Sequence, residues 1–442
     1  MSLMISEYKR KLLKIAIPIT LSQLISQIQM LIDRIFLGRL DILYMSAVGN
    51  ATAPLWTSMS FVFSLSVGAS ILISQSVGAE DLEKAKEYSG ALIKFNNIIP
   101  LILFLFWEFC SPLVFKFMGV PENVIGYCIS YTRIFAPVFL LMGLGASYSV
   151  IFQTSNLTLP LVFYGIIRSG LNIFFDYVLI FGKLGFKEMG INGAALGTTI
   201  AEYIGFVFIA SVAIIKRKSF ITSPSIRKMI RSKIGPFLKS VVLGLPTASE
   251  DFLWNFGNLI LMTILNTISD KAAGIFSMVF SVEIIFVCII GSIGSATLTV
   301  SGEATGAKDL SLYRRVVGTS IKWSMYVSAV TLLIFIIMPR QILSLFSTDM
   351  VVIEESVLFL ILVGIDLFGK SGNIIIGSGI RGFGDTTWML ITQILGTVEV
   401  IAFAALFVFV FKWGIAGVIV AAILDEFVRS GINTIRFFKI KF

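Results

Sequence analysis

The feature that most constrains this chain is a series of long apolar stretches. Roughly twelve of them are long enough, at about 20 helical residues, to cross a bilayer core about 30 Å thick. They lie at 12–37, 46–74, 90–117, 123–150, 157–181, 190–215, 238–268, 272–300, 315–338, 351–378, 387–411 and 414–437. Of the 442 residues only 14% are charged, against about 25% in soluble domains. We therefore predict an all-α polytopic membrane protein with about twelve transmembrane helices.

The residue types that the chain lacks exclude several kinds of chemistry. Histidine is absent from the sequence, which removes His-based catalytic triads, His-ligated zinc and imidazole proton shuttles. Cys110, Cys128 and Cys288 are far apart in apolar stretches, so they predict neither a disulfide framework nor a Cys-x-x-Cys metal site. We expect a protein that is not an enzyme and has no bound cofactor.

The basic residues predict the orientation of the chain. The net charge of +9 is a property of many nucleic-acid-binding proteins, but in membrane proteins Lys and Arg gather in cytoplasmic loops. If both termini are cytoplasmic, about 24 of the 35 basic residues face the cytoplasm and about eight face outward. We therefore predict a multi-pass protein of the cell (inner) membrane with both termini inside, surrounded by lipid, monomeric and without a nucleic-acid partner.

The chain is predicted to consist of two lobes joined by a basic segment. Eight Lys or Arg residues lie within 216–239, where Pro224 and Pro236 interrupt them. We interpret this region as a solvated cytoplasmic linker at the lipid surface, with a specific anionic-lipid site as the alternative. The predicted division is an N-lobe at 1–215 with helices 1–6, the linker at 216–237, and a C-lobe at 238–442 with helices 7–12.

Short motifs recur in the two lobes at a nearly constant offset. Gly78-Ala79-Glu80-Asp81-Leu82 returns as Gly306-Ala307-Lys308-Asp309-Leu310, and Gly190-Ile191-Asn192-Gly193 returns as Gly414-Ile415-Ala416-Gly417. The turn at 153–156 aligns in the same way with 381–384. Six helices per repeat is an even number, so both repeats enter the membrane from the same face. The pattern predicts two pseudo-symmetric six-helix bundles, with substrate bound near the bilayer midplane between the repeats.

Charged residues occur inside the predicted spans, and most of them are acids. An ionised side chain at the centre of a membrane helix costs at least about 2.5–3.5 kcal/mol, so these groups must be paired, protonated or in a wet cavity. The acids are Asp33, Asp176, Glu202, Glu250, Asp251, Glu283, Asp366, Glu399, Asp425 and Glu426. The bases are Arg133, Arg168, Lys370 and Arg429. The excess of acids predicts an interior that attracts cations.

One group of polar residues falls in the outer half of the predicted N-lobe. Asp33, Asp176 and Thr198 lie one to two turns from the outer ends of their helices, and Asn172 shares a helix face with Asp176. Two carboxylates, an amide and a hydroxyl form an oxygen-rich set suited to Na⁺ or protons. The alternative is that Asp176 simply pairs with Arg168, two turns away.

The charged residues of the C-lobe allow both structural and functional interpretations. Lys370 can pair with Asp366 four residues earlier, and Arg429 can pair in the same way with Asp425 or Glu426. Acids that we assign to a substrate cavity are Glu250, Glu283 and Asp366. Because a proline inside a helix removes a backbone hydrogen bond, we also predict that Pro18, on the helix of Asp33, is a mobile hinge.

Motifs at four places, taken together, resemble one known family. They are Pro18, Gln23, Asp33, Leu37 and Gly38; Asn172 and Asp176; Gly190-Ile191-Asn192-Gly193-Ala194-Ala195; and Gly244-Leu245-Pro246-Thr247-Ala248-Ser249-Glu250. This combination is similar to the multidrug and toxic compound extrusion (MATE) transporters and covers essentially the whole chain. The resemblance implies that Asp33, Asn172, Asp176 and Thr198 bind the coupling cation, and that they ligate a metal ion if that cation is Na⁺.

The resemblance has one departure. Members of the family with a well-studied C-lobe acid carry it about two turns past the proline of helix seven. Here Trp254 occupies that place, while Glu250 lies one turn past Pro246. Asp366 is the candidate for the aspartate that several members carry on the tenth helix.

These observations favour a secondary active multidrug exporter that exchanges amphiphilic, cationic organic compounds for H⁺ or Na⁺ by alternating access. One alternative is a flippase for a lipid-linked precursor in the same superfamily, which is similar but has a cationic cavity. Another is an intramembrane enzyme, such as an aspartyl protease or a lipid transferase. The acidic interior argues against the first, and the two-fold repeat without a compact catalytic cluster argues against the second.

Overall fold

The protein is built from long helices, as the apolar stretches predict. The computed structural model describes residues 2–38, 42–269, 271–347 and 349–441, except for the side chains of residues 2–6, 34, 35, 38, 42 and 45. Within these residues there are helices and no strands. The helices are α1 (Ser2–Gly38), α2 (Ile42–Gly78), α3 (Leu82–Phe95), α4 (Ile98–Phe117), α5 (Glu122–Phe135), α6 (Phe139–Thr154), α7 (Leu159–Ile180), α8 (Ile191–Ile215), α9 (Ile226–Arg231), α10 (Ile234–Asn266), α11 (Ala272–Gly306), α12 (Leu310–Ile337), α13 (Pro339–Leu343), α14 (Met350–Phe383), α15 (Thr386–Ala405) and α16 (Gly414–Lys439).

The membrane-spanning segments agree with the predicted fold class. In the part of the chain that the structure describes, nine segments are long and apolar enough to cross a bilayer. They are Glu7–Asp33, Ser46–Gly78, Leu82–Phe117, Glu122–Thr154, Leu159–Ile180, Ile191–Ile215, Ala272–Gly306, Leu310–Ile337 and Thr386–Val410. Three further long helices, α10, α14 and α16, hold many of the intramembrane charges. The prediction of a polytopic all-α protein with about twelve transmembrane helices is confirmed.

Two of the predicted spans are each divided between two helices. The stretch 90–117 breaks between α3 and α4, where the buried Asn96 amide donates to Ser66 Oγ at 3.1 Å and to the Gly143 carbonyl at 2.9 Å. The stretch 123–150 breaks at a 3₁₀ turn, Ala136–Val138, which contains Pro137. Both breaks follow from local chemistry, since an amide competes for backbone groups and a proline lacks the N–H of a helix.

The backbone of the repeated motifs confirms the internal repeat. Glu80 and Lys308 occupy equivalent positions and both have left-handed backbone conformation, with φ of 60° and 53°. The next residue in each repeat caps the following helix, since Asp81 accepts from Lys84 N–H at 2.9 Å and Asp309 accepts from Leu312 N–H at 2.8 Å. The same sequence pattern therefore produces the same turn twice.

The helices pack into two compact units. One, called the N-unit below, comprises Ile17–Val77 and Asp81–Ala248, and the other, the C-unit, comprises Met1–Ala16, Gly78–Glu80 and Ser249–Phe442. The predicted lobes 1–215 and 238–442 divide the chain by its repeat, whereas these units divide it by packing. The lobe boundaries and the linker at 216–237 stay a prediction.

Close approach of helices in the N-unit depends on glycine. A Cβ on Gly68 of α2 would lie 2.0 Å from the Ser240 carbonyl oxygen of α10, and a Cβ on Gly244 would lie 2.3 Å from the Leu65 carbonyl oxygen. Membrane helices associate through such van der Waals contacts because lipid supplies no hydrophobic drive between them. These glycines fix α2 against the first half of α10.

Candidate functional site

The four residues predicted to bind the coupling cation lie together in the N-unit. Asp33 comes from α1, Asn172 and Asp176 from α7, and Thr198 from α8. Asn172 and Asp176 are completely buried, and Asp33 and Thr198 are partly buried. Residues that are distant in the sequence therefore form one cluster, called the aspartate site below.

The Asn172 amide connects the members of the aspartate site. In one orientation it donates to Thr198 Oγ1 at 3.1 Å and to Asp176 Oδ1 at 3.4 Å. In the opposite orientation it donates to Asp33 Oδ1 at 3.1 Å, and its oxygen accepts from the Thr198 N–H at 3.2 Å. Both carboxyl groups thus lie within reach of the same amide, which holds them close together.

Gln29 is a fifth member, and it was not among the residues predicted from the sequence. Its Nε2 donates to Asp33 Oδ2 at 2.6 Å and lies 2.5 Å from Asn172 Oδ1. Gln29 is buried one turn before Asp33 on the same face of α1. That i, i+4 spacing was the available signal, but spacing alone does not distinguish a ligand from an ordinary buried amide.

Arg168 does not neutralise Asp176 by ion pairing. Its guanidinium pairs with Glu202 Oε1 at 2.7 Å and also donates to Ser26 Oγ, while Tyr164 donates to Glu202 Oε2 at 2.9 Å. The predicted alternative, an Asp176–Arg168 pair, is therefore wrong. Glu202 supplies the partner because α7 packs along α8 and brings Arg168 to it.

The aspartate site has unmet polar capacity. Asp176 Oδ2 is buried and has no hydrogen-bond partner among the residues that the structure describes. Two carboxylates this close in a buried site do not both stay ionised unless a proton or a cation neutralises one of them. Carboxylate, amide and hydroxyl oxygens are ligands that hard cations accept, so the donor set fits either coupling ion.

The aspartate site is smaller than the ligand clusters typical of tightly bound resident metals. Within the described part of the chain, no three His, Cys, Asp or Glu side chains gather where they could hold a metal ion. Na⁺ would therefore depend on the oxygens of Asn172 and Thr198 in addition to the two carboxylates. Such a mixed, weakly charged set suits an ion that must be released again.

Gly197 gives the aspartate site its shape. A Cβ at this position of α8 would lie 2.3 Å from Asp176 Oδ1, far inside van der Waals contact. On the same helix, a Cβ at Gly193 would lie 2.6 Å from the Leu179 carbonyl carbon. Glycine at 197 leaves room for the carboxyl group of Asp176, which a larger residue would force to shift.

The C-unit contains a different arrangement, in which acids pair with bases. Lys370 Nζ lies 3.0 Å from Asp366 Oδ2, as predicted, and also contacts Glu283 Oε1. The side chains of Asp366 and Glu283 are almost completely buried, and that of Lys370 is 13% exposed. Asp366 Oδ1 is buried without a hydrogen-bond partner among the described residues. We call these three residues the lysine cluster.

A second group of ion pairs surrounds Arg429. Its guanidinium lies 2.6 Å from Asp425 and 3.0 Å from Glu426, as predicted, and donates to Gln393 Oε1 at 2.8 Å. Glu426 also accepts from the Asn373 amide at 2.8 Å. Each partner is buried, so the protein shields the pairs from bulk solvent.

The lysine and Arg429 clusters line one small cavity of the C-unit. Its volume is about 70 Å³, which leaves room for a few water molecules. Its lining contains four acids and two bases, together with three aromatic side chains. They are Glu283, Asp366, Asp425, Glu426, Lys370, Arg429, Trp254, Phe276 and Phe280. The lining therefore has an excess of negative charge.

The third predicted cavity acid, Glu250, has a basic partner. It forms an ion pair with Arg381, and its side chain is only 5% exposed. A substrate cation that used Glu250 would have to compete with this guanidinium. Glu283 and Asp366 also have a basic partner, Lys370, but they share it and both line a cavity of the C-unit that Glu250 does not line. They are therefore better placed than Glu250 for contact with a substrate, and the role in a substrate cavity stays a prediction for all three.

The predicted hinge lies inside one continuous helix. Pro18 falls within α1, which runs unbroken from Ser2 to Gly38. The part of α1 before Ile17 belongs to the C-unit and the rest to the N-unit, so the boundary between the units lies next to this proline. In α10 the same kind of boundary lies between Ala248 and Ser249, two residues after Pro246. Hinge motion at Pro18 stays a prediction.

Known proteins resemble this chain over nearly its whole length. The MatE family profile matches residues 18–178 and 246–430. A probable multidrug resistance protein NorM of Thermotoga maritima is 26% identical and aligns over 98% of this chain and 93% of its own. A probable multidrug resistance protein YoeA of Bacillus subtilis is 24% identical over 86% and 82% of the two chains.

Solved structures show the same fold. A crystal structure of MATE in complex with MaL6 superposes with a TM-score of 0.90 at 20% identity, over 98% of this chain and 97% of that one. An outward-facing conformation of a multidrug resistance MATE family transporter superposes with a TM-score of 0.88 at 21% identity, over 98% and 96%.

Proposed function

We propose, from the premise that this chain belongs to the MatE family of membrane transporters, that it is a secondary active exporter coupled to H⁺ or Na⁺. The observation that carries the proposal is the aspartate site, in which Asp33 and Asp176 lie within reach of one amide among the helices of a membrane protein. Such a pair is neutralised by an ion that can enter and leave. This is what a coupling site must do.

Coupling requires that ion binding favours one conformation. An ion that bound equally well to both states would shift no equilibrium and drive no transport. In the aspartate site, α1 supplies Asp33 and Gln29, while α7 and α8 supply Asn172, Asp176 and Thr198. A bend of α1 at Pro18 would change the distance between these two sets, and this makes ion affinity depend on conformation.

The exported compounds are amphiphilic organic cations in this proposal. The excess of acids around the C-unit cavity favours positive charge, and its aromatic residues suit an apolar body. At about 70 Å³ the cavity has to widen before such a compound can enter. The names of relatives as probable multidrug resistance proteins support the same class. A flippase for an anionic, pyrophosphate-linked lipid would require the opposite charge in that cavity.

The experiment is transport by purified protein in proteoliposomes under separately imposed gradients. A quaternary ammonium dye should accumulate against its gradient when either a Na⁺ gradient or a pH gradient is applied, and the effective gradient identifies the coupling ion. If neither gradient drives uptake while the protein retains dye binding, the exporter proposal is wrong.

Ion binding has an independent readout that needs no substrate. An ion that binds only the folded state raises the temperature of unfolding by mass action. If Na⁺ is the coupling ion, NaCl should stabilise the wild type more than KCl does, and Asp33→Asn should lose that difference. A matched exposed change, Glu355→Gln, should retain it.

We also propose that both termini lie on the cytoplasmic side of the inner membrane. Labelling of terminal tags in intact cells tests this orientation.

A further inference from the structure

A basic segment of the N-unit connects α8 to α10. Residues 216–233, called the basic segment below, follow the last residue of α8 and precede the first residue of α10. The segment contains seven Lys or Arg residues and no Asp or Glu. The basic residues are Lys216, Arg217, Lys218, Arg227, Lys228, Arg231 and Lys233.

The basic segment is anchored to the N-unit and has a defined shape. Phe220 is only 3% exposed and packs against Phe152, with ring centroids 4.6 Å apart. Thr222 is fully buried and bonds to Thr154 Oγ1 at 3.1 Å. Lys94 Nζ donates to the carbonyl of residue 230 at 2.7 Å and to that of residue 232 at 3.0 Å. These contacts argue against a freely solvated linker.

Apolar side chains are exposed among the charges. Ile226 and Ile230 lie one turn apart on α9 and are 55% and 63% exposed. Arg227 and Arg231 are their neighbours and are also exposed. Isoleucine beside arginine on a short helix is typical of elements at the membrane interface, where apolar side chains enter the boundary between headgroups and acyl chains.

Chain connectivity fixes this surface at the membrane. The segment is only 18 residues long, and each end continues directly into a long helix of a polytopic membrane protein. It therefore lies at the lipid–water boundary whichever way the chain is oriented. Each basic residue next to an anionic bilayer surface strengthens the attraction about fivefold.

We propose that the basic segment binds the headgroups of anionic phospholipids, with Arg227 and Arg231 on the phosphates and Ile226 and Ile230 at the headgroup–acyl boundary. Lys228 already pairs with Glu83, so it contributes less than its neighbours. The occupant is lipid because the surface combines exposed apolar side chains with uncompensated positive charge. A soluble anion would use only the charge.

The test uses the purified full chain in neutral detergent micelles, titrated with phosphatidylglycerol or phosphatidylcholine while the unfolding temperature is measured. The variant removes four exposed charges: Lys216→Gln, Lys218→Gln, Arg227→Gln and Arg231→Gln. Its matched control removes four exposed lysines elsewhere: Lys116→Gln, Lys183→Gln, Lys187→Gln and Lys412→Gln. Both variants change the net charge equally.

We expect phosphatidylglycerol to stabilise the wild type more than phosphatidylcholine does. The half-stabilising concentration of phosphatidylglycerol should rise at least about tenfold in the basic-segment variant and at most about twofold in the control. Ile226→Ser combined with Ile230→Ser should also weaken stabilisation, by several-fold, because the apolar contact is lost.

Three results would overturn the proposal. Equal stabilisation by the two lipids would remove the headgroup preference. Equal losses in the two four-site variants would mean that total charge, and not this surface, attracts the lipid. Stabilisation by inorganic phosphate to the same extent, with no effect of the isoleucine changes, would identify a free-anion site instead of a lipid surface.

Discussion

Buried acids have different kinds of partner in the two units of this protein. In the N-unit, Asp33 and Asp176 are bridged by amides, and no described Lys or Arg side chain lies within ion-pair distance of either carboxylate. In the C-unit, Asp366 and Glu283 share Lys370, and Arg429 holds two further acids. The first arrangement needs a mobile cation to balance its charge, and the second contains bases that already balance part of its charge.

This difference separates a site for exchange from a site for permanent structure. A buried carboxylate that already has a guanidinium or ammonium partner gains little from a further cation, because desolvation and pairing are already balanced. A carboxylate pair that is held only by amides is stabilised much more by a bound cation. We therefore assign ion coupling to the aspartate site and structural stabilisation, with residual attraction for cations, to the C-unit clusters.

The largest expected effect is loss of coupling in the N-unit. Asp33→Asn and Asp176→Asn each keep the shape of the side chain but remove the charge that the coupling ion balances. Export of a quaternary ammonium dye against its gradient by proteoliposomes should fall to background, while dye binding persists. Glu355→Gln, on the exposed surface, is the control. Coupled export at the wild-type rate in either Asn variant would show that the site has another role.

The same kind of change in the C-unit should act on stability instead. Lys370→Met leaves Asp366 and Glu283 buried without their shared base, and breaking a buried pair in this way costs about 3–5 kcal/mol. The unfolding temperature in detergent should drop clearly, whereas Asp33→Asn should lower it little or raise it. If Lys370→Met is as stable as the wild type, the lysine cluster is not structural and our comparison fails.

A smaller effect is expected from filling the space beside Asp176. Gly197→Ala puts a Cβ 2.3 Å from Asp176 Oδ1, and overpacking of this kind costs about 1–3 kcal/mol. The carboxylate must move, so the affinity for the coupling ion, measured by ion-dependent thermal stabilisation, should fall. Gly170→Ala on α7 is the matched control because, apart from its chain neighbours and the backbone of its own helix, no described atom lies within 4 Å of the new methyl group. Equal ion affinity in both variants would contradict the assigned contact.

The sequence predicted those contacts that the helix period determines. Asn172 with Asp176, Lys370 with Asp366, and Arg429 with Asp425 are all four residues apart on one helix, so their proximity follows from 3.6 residues per turn. The excess of acids within the spans was likewise readable, because lipid does not tolerate unpaired charge. Most of the fold was therefore accessible from apolar stretches and helical spacing.

The contacts that the sequence did not predict join residues far apart in the chain. Gln29 meets Asn172, Lys370 meets Glu283 and Arg168 meets Glu202 only because particular helices pack side by side. Nothing in the local spacing favoured Glu202 over Asp176 as the partner of Arg168. Tertiary packing decides which of several compatible partners a buried charge pairs with. The helical periodicity of one sequence does not contain that information.

The smallest predicted effect concerns the residual attraction of the C-unit for cations. Its cavity is lined by four acids and two bases, so a permanent organic cation should bind more tightly than an uncharged isostere. One unpaired charge 4 Å away contributes at most about 4 kcal/mol at an effective dielectric constant of about 20, and desolvation of the ligand offsets part of this. We therefore expect a preference of about 10- to 100-fold in the wild type, since each tenfold is about 1.4 kcal/mol.

Binding of the two ligands should be measured on the wild type, Asp366→Asn and Glu250→Gln. Asp366→Asn should reduce the preference for the cation more than Glu250→Gln does. Glu250 already forms an ion pair with Arg381, whereas Asp366 has a buried oxygen without a described partner. Equal affinities in the wild type would contradict the acidic cavity, and a larger effect of Glu250→Gln would mean that the Arg381 pair opens when substrate binds.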